Sequence, residues 1–126
     1  MNWKKNMMKK SLVLLSTIFP LLSGCASITE LRKDAPYFTA SSPKPAKKVA
    51  ECILFGWQEK WSGFHQLNMY IQPYLDKGYT VYSNGNLYVA DIAQNGKMTQ
   101  INFYYQGDDI FGVARNKSIS TINDCI

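Results

Sequence analysis

The chain has 126 residues, with 14 Lys and Arg against 9 Asp and Glu, a formal charge of +5 and a single histidine. Four of those lysines, Lys4, Lys5, Lys9 and Lys10, lie in the first ten residues, so ten basic groups face nine acidic ones beyond Cys25. This near-balanced remainder has no stripe of Lys/Arg interleaved with aromatics, which excludes a nucleic-acid surface, and its length allows one small domain.

The lysine-bearing head is followed by a mostly apolar run at residues 11–22, then by small residues and a cysteine. That is the layout of a secretory signal peptide. The apolar run is too short to cross a bilayer as a stable helix, and Pro20 would disturb one. Leu22-Ser23-Gly24-Cys25 resembles the lipobox of bacterial lipoproteins. The resemblance implies that residues 1–24 are cleaved and that Cys25 becomes the first mature residue. Its thiol then carries a diacylglyceryl group and its amino group a third acyl chain. One acyl chain binds a membrane only marginally, at about 0.8 kcal/mol per buried methylene, whereas three make attachment effectively permanent. The protein is thus expected to be anchored to a membrane without spanning it. Ala26, not an aspartate, follows Cys25. By the sorting rule of enteric-type lipoproteins this implies the outer membrane, facing the periplasm. The inner membrane and a Gram-positive cell surface are the alternatives.

Residues 25–46 read as a tether. They contain Pro36, Pro43, Pro45 and the pair Ser41-Ser42, and such segments are extended and bury little. At about 3.1 Å per residue the tether reaches roughly 60 Å. Within it, residues 27–31 can form one helical turn, and Tyr37-Phe38 either docks on the domain or serves as a short partner-binding motif. The folded domain is expected over residues 47–126. An exported chain meets an oxidising compartment, so the remaining Cys52 and Cys125 are expected to form a disulfide.

The domain opens with a helix in which Val49, Cys52, Ile53, Gly56, Trp57 and Lys60 recur at helical spacing. Cys52 is placed on its core-facing side, Trp57 and Trp61 stack four residues apart, and Gly63 stops the helix. The period then changes to two. Leu67, Met69 and Ile71 alternate with polar neighbours up to Pro73, and a second strand covers 79–82. Turns at residues 76–78 and at Asn84-Gly85-Asn86 separate these from a third strand at 87–92. Asn95-Gly96 turns the chain into a fourth strand at 98–105. Short connections make the sheet an antiparallel meander. Residues 111–126 carry Phe111, Arg115, Ile119, Ile122 and Ile126 at helical spacing, against a composition of weak helix formers; helix is preferred, strand remains open. The fold class is α+β: a meander of three to four strands with an N-terminal and a C-terminal helix on one face, joined by the disulfide.

Chemistry is sparse. His65 stands alone in a loop, Asp108-Asp109 lie side by side in a turn, and Asp91 is read as facing solvent from the polar side of its strand. No phosphate loop, metal-ligand spacing or nucleophile elbow is present, so neither catalysis nor a cofactor or metal is expected. Eight tyrosines, six phenylalanines and three tryptophans are the stronger lead. Tyr70, Tyr82, Tyr88 and Tyr104 fall on strands and form the candidate binding surface, because tyrosine offers large contact area with a polar tip. Cross-strand stabilisation of a thin sheet is the competing role. Two functions follow. One is a non-catalytic binding module for an envelope protein, as an inhibitor, immunity, exclusion or accessory factor. The other is a structural or assembly lipoprotein in contact with peptidoglycan.

Overall fold

A computed structural model describes residues 26–61, 67–107 and 112–126. Cys25, Gly63, His65, Asp108, Asp109 and Phe111 lie outside the described residues, as does the side chain of Trp61. In chain order the elements are α1 (Ile28–Leu31), β1 (Phe38–Ser42), α2 (Ala46–Trp61), β2 (Met69–Pro73), β3 (Gly78–Ser83), β4 (Tyr88–Asn95), β5 (Met98–Tyr105) and α3 (Val113–Cys125). The strands form one antiparallel sheet in the order β1-β5-β4-β3-β2. The fold is therefore α+β, and β2 to β5 form the expected meander, each pairing with the next.

The tether is shorter than the composition suggested. Residues 38–42, assigned above to the spacer, are an edge strand whose partners run from Phe38↔Phe103 to Ser42↔Thr99. The alternation of apolar Phe38 and Ala40 with Thr39 and Ser41 is the strand signal that the flanking prolines concealed. Tyr37-Phe38 accordingly docks on the domain: the Tyr37 ring meets Phe103 edge-on at 6.5 Å, and Phe38 packs on the core.

Helix α2 begins behind Pro45, with Val49 N–H donating to the Pro45 carbonyl and Ala46 N–H to Gln94 Oε1. Ala46, Val49, Ala50, Ile53 and Trp57 are buried, the spacing of one apolar helix stripe. They cover the sheet face formed by Val81, Tyr88, Ala90, Ile92, Ile101 and Phe103. Trp57 sits at the centre. Its ring lies 5.9 Å from Phe103 and 6.2 Å from Tyr88, and its indole N–H donates to the Ser118 carbonyl of α3. Residues 113–125 are helical, which decides the question left open at the carboxyl end. A Cβ added at Gly56 would stand 2.5 Å from Thr121 Cγ2, so this glycine sets how closely α2 and α3 approach.

The disulfide Cys52–Cys125 joins the two helices across a sequence separation of 73. Cys125 is buried, but Cys52 is exposed on the flank of α2 and not on its core-facing side. The reason is geometric: α3 packs beside α2, so the bridge must leave from the side of the helix, not from the stripe that meets the sheet.

Closing a loop of this length restricts the unfolded chain by about 4 kcal/mol on the chain-entropy estimate. We expect Cys52→Ser/Cys125→Ser to lower the unfolding free energy by about that amount in urea melts, with near-native circular dichroism before the transition.

Candidate functional site

Side chains alternate across each strand, so the sheet has an inner face under α2 and α3 and an outer face turned away from them. The four strand tyrosines do not share one face. Tyr88 belongs to the inner core beside Trp57 and is 5% exposed. Tyr70, Tyr82 and Tyr104 belong to the outer face, since Tyr70 pairs with Tyr82, Tyr82 with Val89 and Val89 with Tyr104, in alternation with the inner Val81, Ala90 and Phe103. Tyr104 is only 8% exposed. The proposed four-residue surface therefore reduces to Tyr70 and Tyr82, whose rings stack at 5.4 Å with Tyr70 43% exposed. The sequence reading grouped all four as one surface, whereas strand alternation in the folded sheet sets Tyr88 on the face opposite to the other three. It could not show what covers each face.

What covers the outer face is the amino-terminal segment. Helix α1 is a single turn capped by Ser27, whose side chain accepts from Glu30 N–H. It brings Arg32 over the middle strand of the sheet. There the Arg32 guanidinium donates from Nε to Asp91 Oδ2 at 2.7 Å, and from Nη2 to Asp91 Oδ1 at 2.8 Å and Thr80 Oγ1 at 2.9 Å. Thr80 Oγ1 donates in turn to Asp91 Oδ1 at 2.6 Å. The Tyr74 ring stacks under the guanidinium, 4.4 Å from its central carbon. This is a forked, charge-assisted pair with an aromatic floor, the geometry that arginine forms and lysine does not.

Asp91 is 2% exposed, not solvent-facing as the strand pattern suggested. Its outward orientation was read correctly, but outward on this strand means under the strap. The carboxylate holds the Arg32 guanidinium even more firmly protonated than usual, chiefly through the hydrogen bond and against the opposing effect of burial. Tyr104, close to the same cluster, has its phenol pushed above its ordinary value by burial and then by the Asp91 charge, with Arg32 pulling the other way. Arg32 was missed from the sequence because it lies in a segment that reads as spacer. The one available signal was an aspartate inside an otherwise apolar strand, which needs a cation if it is covered.

The strap also brings Ala26 close to the domain. Gln106 Nε2 donates to the carbonyls of Asn86, Gly85 and, at 3.4 Å, Ala26. With the chain held on the domain from Ala26 onward, the reach of roughly 60 Å expected for a free tether is not available while the strap is docked. Among the described residues no helix is long and apolar enough to cross a membrane, and no group of His, Cys, Asp and Glu is arranged to hold a metal ion. Comparisons with protein-family models, curated proteins and solved structures each returned no match.

The pair is buried on the Asp91 side and partly exposed on the Arg32 side. Breaking it leaves a buried carboxylate uncompensated, which costs about 3 kcal/mol at the lower end of the range for such pairs. We expect Arg32→Met to destabilise by that amount, and the double variant Arg32→Met/Asp91→Leu to recover at least half of it in a thermodynamic cycle.

For Tyr104 the folded-state pKa lies above the unfolded value of about 10. Its contribution to stability is therefore complete below pH 10 and is lost as pH rises through the folded pKa. Wild-type stability is expected to fall above pH 10 with a steeper slope than that of Tyr104→Phe, measured by chemical denaturation at each pH.

Proposed function

We propose that this chain is a lipid-anchored envelope protein, attached through Cys25, that acts as a non-catalytic binding module for a protein partner in the periplasm of a Gram-negative cell. The outer membrane is the expected site of attachment. The observation that carries the binding role is the stack of exposed Tyr70 on half-buried Tyr82 beside β2, which among the described residues is an edge strand. Asn84 N–H donates to the Asn68 carbonyl, and Tyr74 N–H to the Gly78 carbonyl. By the alternation of an antiparallel ladder, the backbone groups of Met69 and Ile71 then point away from β3. Pro73 ends the strand and, lacking an N–H, limits further pairing. The free edge therefore offers a short run of donors and acceptors, with exposed Tyr70 on one face and exposed Ile71 on the other.

An extended segment of another protein fits that arrangement. It adds a strand to β2 through main-chain hydrogen bonds and places an aromatic or apolar side chain against Tyr70. The signal sequence supports the compartment, and the disulfide is of the kind that persists there.

Two measurements bear on this reading. Intact-mass analysis of the purified membrane form should give a chain beginning at Cys25 with three acyl groups, and the mass of an unmodified full chain removes the anchor. Affinity capture from detergent-solubilised envelope should yield one stoichiometric partner with the wild type. That partner should be lost with Tyr70→Ala and kept with Phe55→Ala, whose ring is exposed on α2. Capture unaffected by Tyr70→Ala, or recovery of cell-wall material in place of a protein, counts against the binding module.

A further inference from the structure

The site around Asp91 already holds a ligand, delivered by a thin piece of chain. Asp91 and Thr80 are buried in neighbouring strands and face one another in register. Both carboxylate oxygens and the threonine hydroxyl are aligned to accept from one planar fork, and the Tyr74 ring lies beneath the guanidinium, 4.4 Å from its central carbon. Such a site selects a guanidinium: an ammonium is a point charge and cannot engage both oxygens in this plane while stacking on the ring.

The segment that carries Arg32 is weakly built by comparison. Helix α1 is four residues long and buries none of them, and a helix of that length has no stability of its own. Arg32 therefore behaves as a tethered ligand, kept in place by high effective concentration. Leaving the site empty strands a buried carboxylate, whereas exchanging one guanidinium for another does not. Exchange is the easier route by which the strap can lift.

We propose that the Asp91–Thr80–Tyr74 site is an arginine-binding site, occupied in cis by Arg32 and opened to an arginine side chain of a partner polypeptide when the strap is displaced. The strap then has two positions. Docked, it closes the site and holds the anchored terminus beside Gln106. Displaced, it frees residues 26–36, an extended reach of about 38 Å, and leaves the partner's arginine on Asp91. The site does not use Tyr70, so it stands apart from the edge-strand surface described above.

The test uses the full chain in detergent and a synthetic peptide of residues 27–33 as probe. The peptide is expected to bind Arg32→Ala at least about tenfold more tightly than the wild type, where the cis arginine competes. The same peptide carrying Arg32→Lys should bind at least about tenfold more weakly, and Arg32→Ala/Asp91→Asn should not bind it. Equal affinity for wild type and Arg32→Ala, or for the arginine and lysine peptides, overturns the proposal. Hydrogen exchange on the wild type gives the same answer without any variant. Leu31 and Arg32 amides donate to the Ser27 and Ile28 carbonyls when the strap is docked. Saturating arginine peptide should speed their exchange while the lysine peptide leaves it unchanged, and unchanged exchange with both overturns the proposal.

Discussion

A carboxylate in the middle strand of a small sheet is the constraint around which this molecule is arranged. Asp91 sits on β4, the third of five strands, with β3 and β5 on either side. A charge placed there and covered must be paired, because leaving it uncompensated costs a large share of the net stability of a domain of this size. Its partner comes from outside the meander. Arg32 reaches it only if the amino-terminal segment crosses the outer face, and that crossing determines several other features. It buries Asp91, lies close to Tyr104, and delivers the chain to the β5 edge, where Phe38–Ser42 pair as β1.

The inner face is organised on different physics. Trp57 fills the space between α2 and the sheet, touching Tyr88 and Phe103 and bonding to the α3 backbone. The hydrophobic stripe of α2 fixes the helix on the sheet, whereas α3 has few large apolar residues and buries Ser118 and Thr121 beside Ile122. A helix of that composition gains little from burial alone. Its position is secured by close approach at Gly56, by the Trp57 hydrogen bond and by the covalent bridge at Cys125. The two faces thus hold the terminal segments by unlike means: one noncovalent and exchangeable, the other covalent.

That contrast bears on how the two ends of the domain are held. A terminus held by a charge-assisted fork can be exchanged at an equilibrium cost, while one held by a disulfide in an oxidising compartment stays put. The mobile option lies on the side of the chain that leads to Cys25. On the proposed anchoring at Cys25, release of the strap changes how far the tyrosine-bearing edge stands from the membrane, and so couples position to the proposed recognition through a single side chain.

Local signals in the sequence carried much of the fold. Periodicity of 3.6 over Val49–Trp57 and of 2 over Met69–Ile71 and Ile101–Tyr105 are consequences of burial on one face. The Asn-Gly pairs mark turns because they accept positive φ, as Gly85 and Gly96 do. The disulfide was legible from the expected export and cysteine parity. Beyond Cys25, what remained hidden were long-range matters. Strand β1 could not be told from a spacer because its partner lies about sixty residues away. Cys52 could not be assigned to a flank without knowing where α3 packs. The four tyrosines were grouped as one surface because their faces depend on strand register, and Tyr104 could be known to be covered only once the strap was in place. Sequence alone determined the long helix, the four strands of the meander, their order and the outward-facing carboxylate in β4, since these depend on neighbours a few residues apart. Only the tertiary structure decided that Arg32 is its partner, because a buried charge is satisfied by whatever cation the folded chain brings within 3 Å, and sequence spacing does not encode that distance.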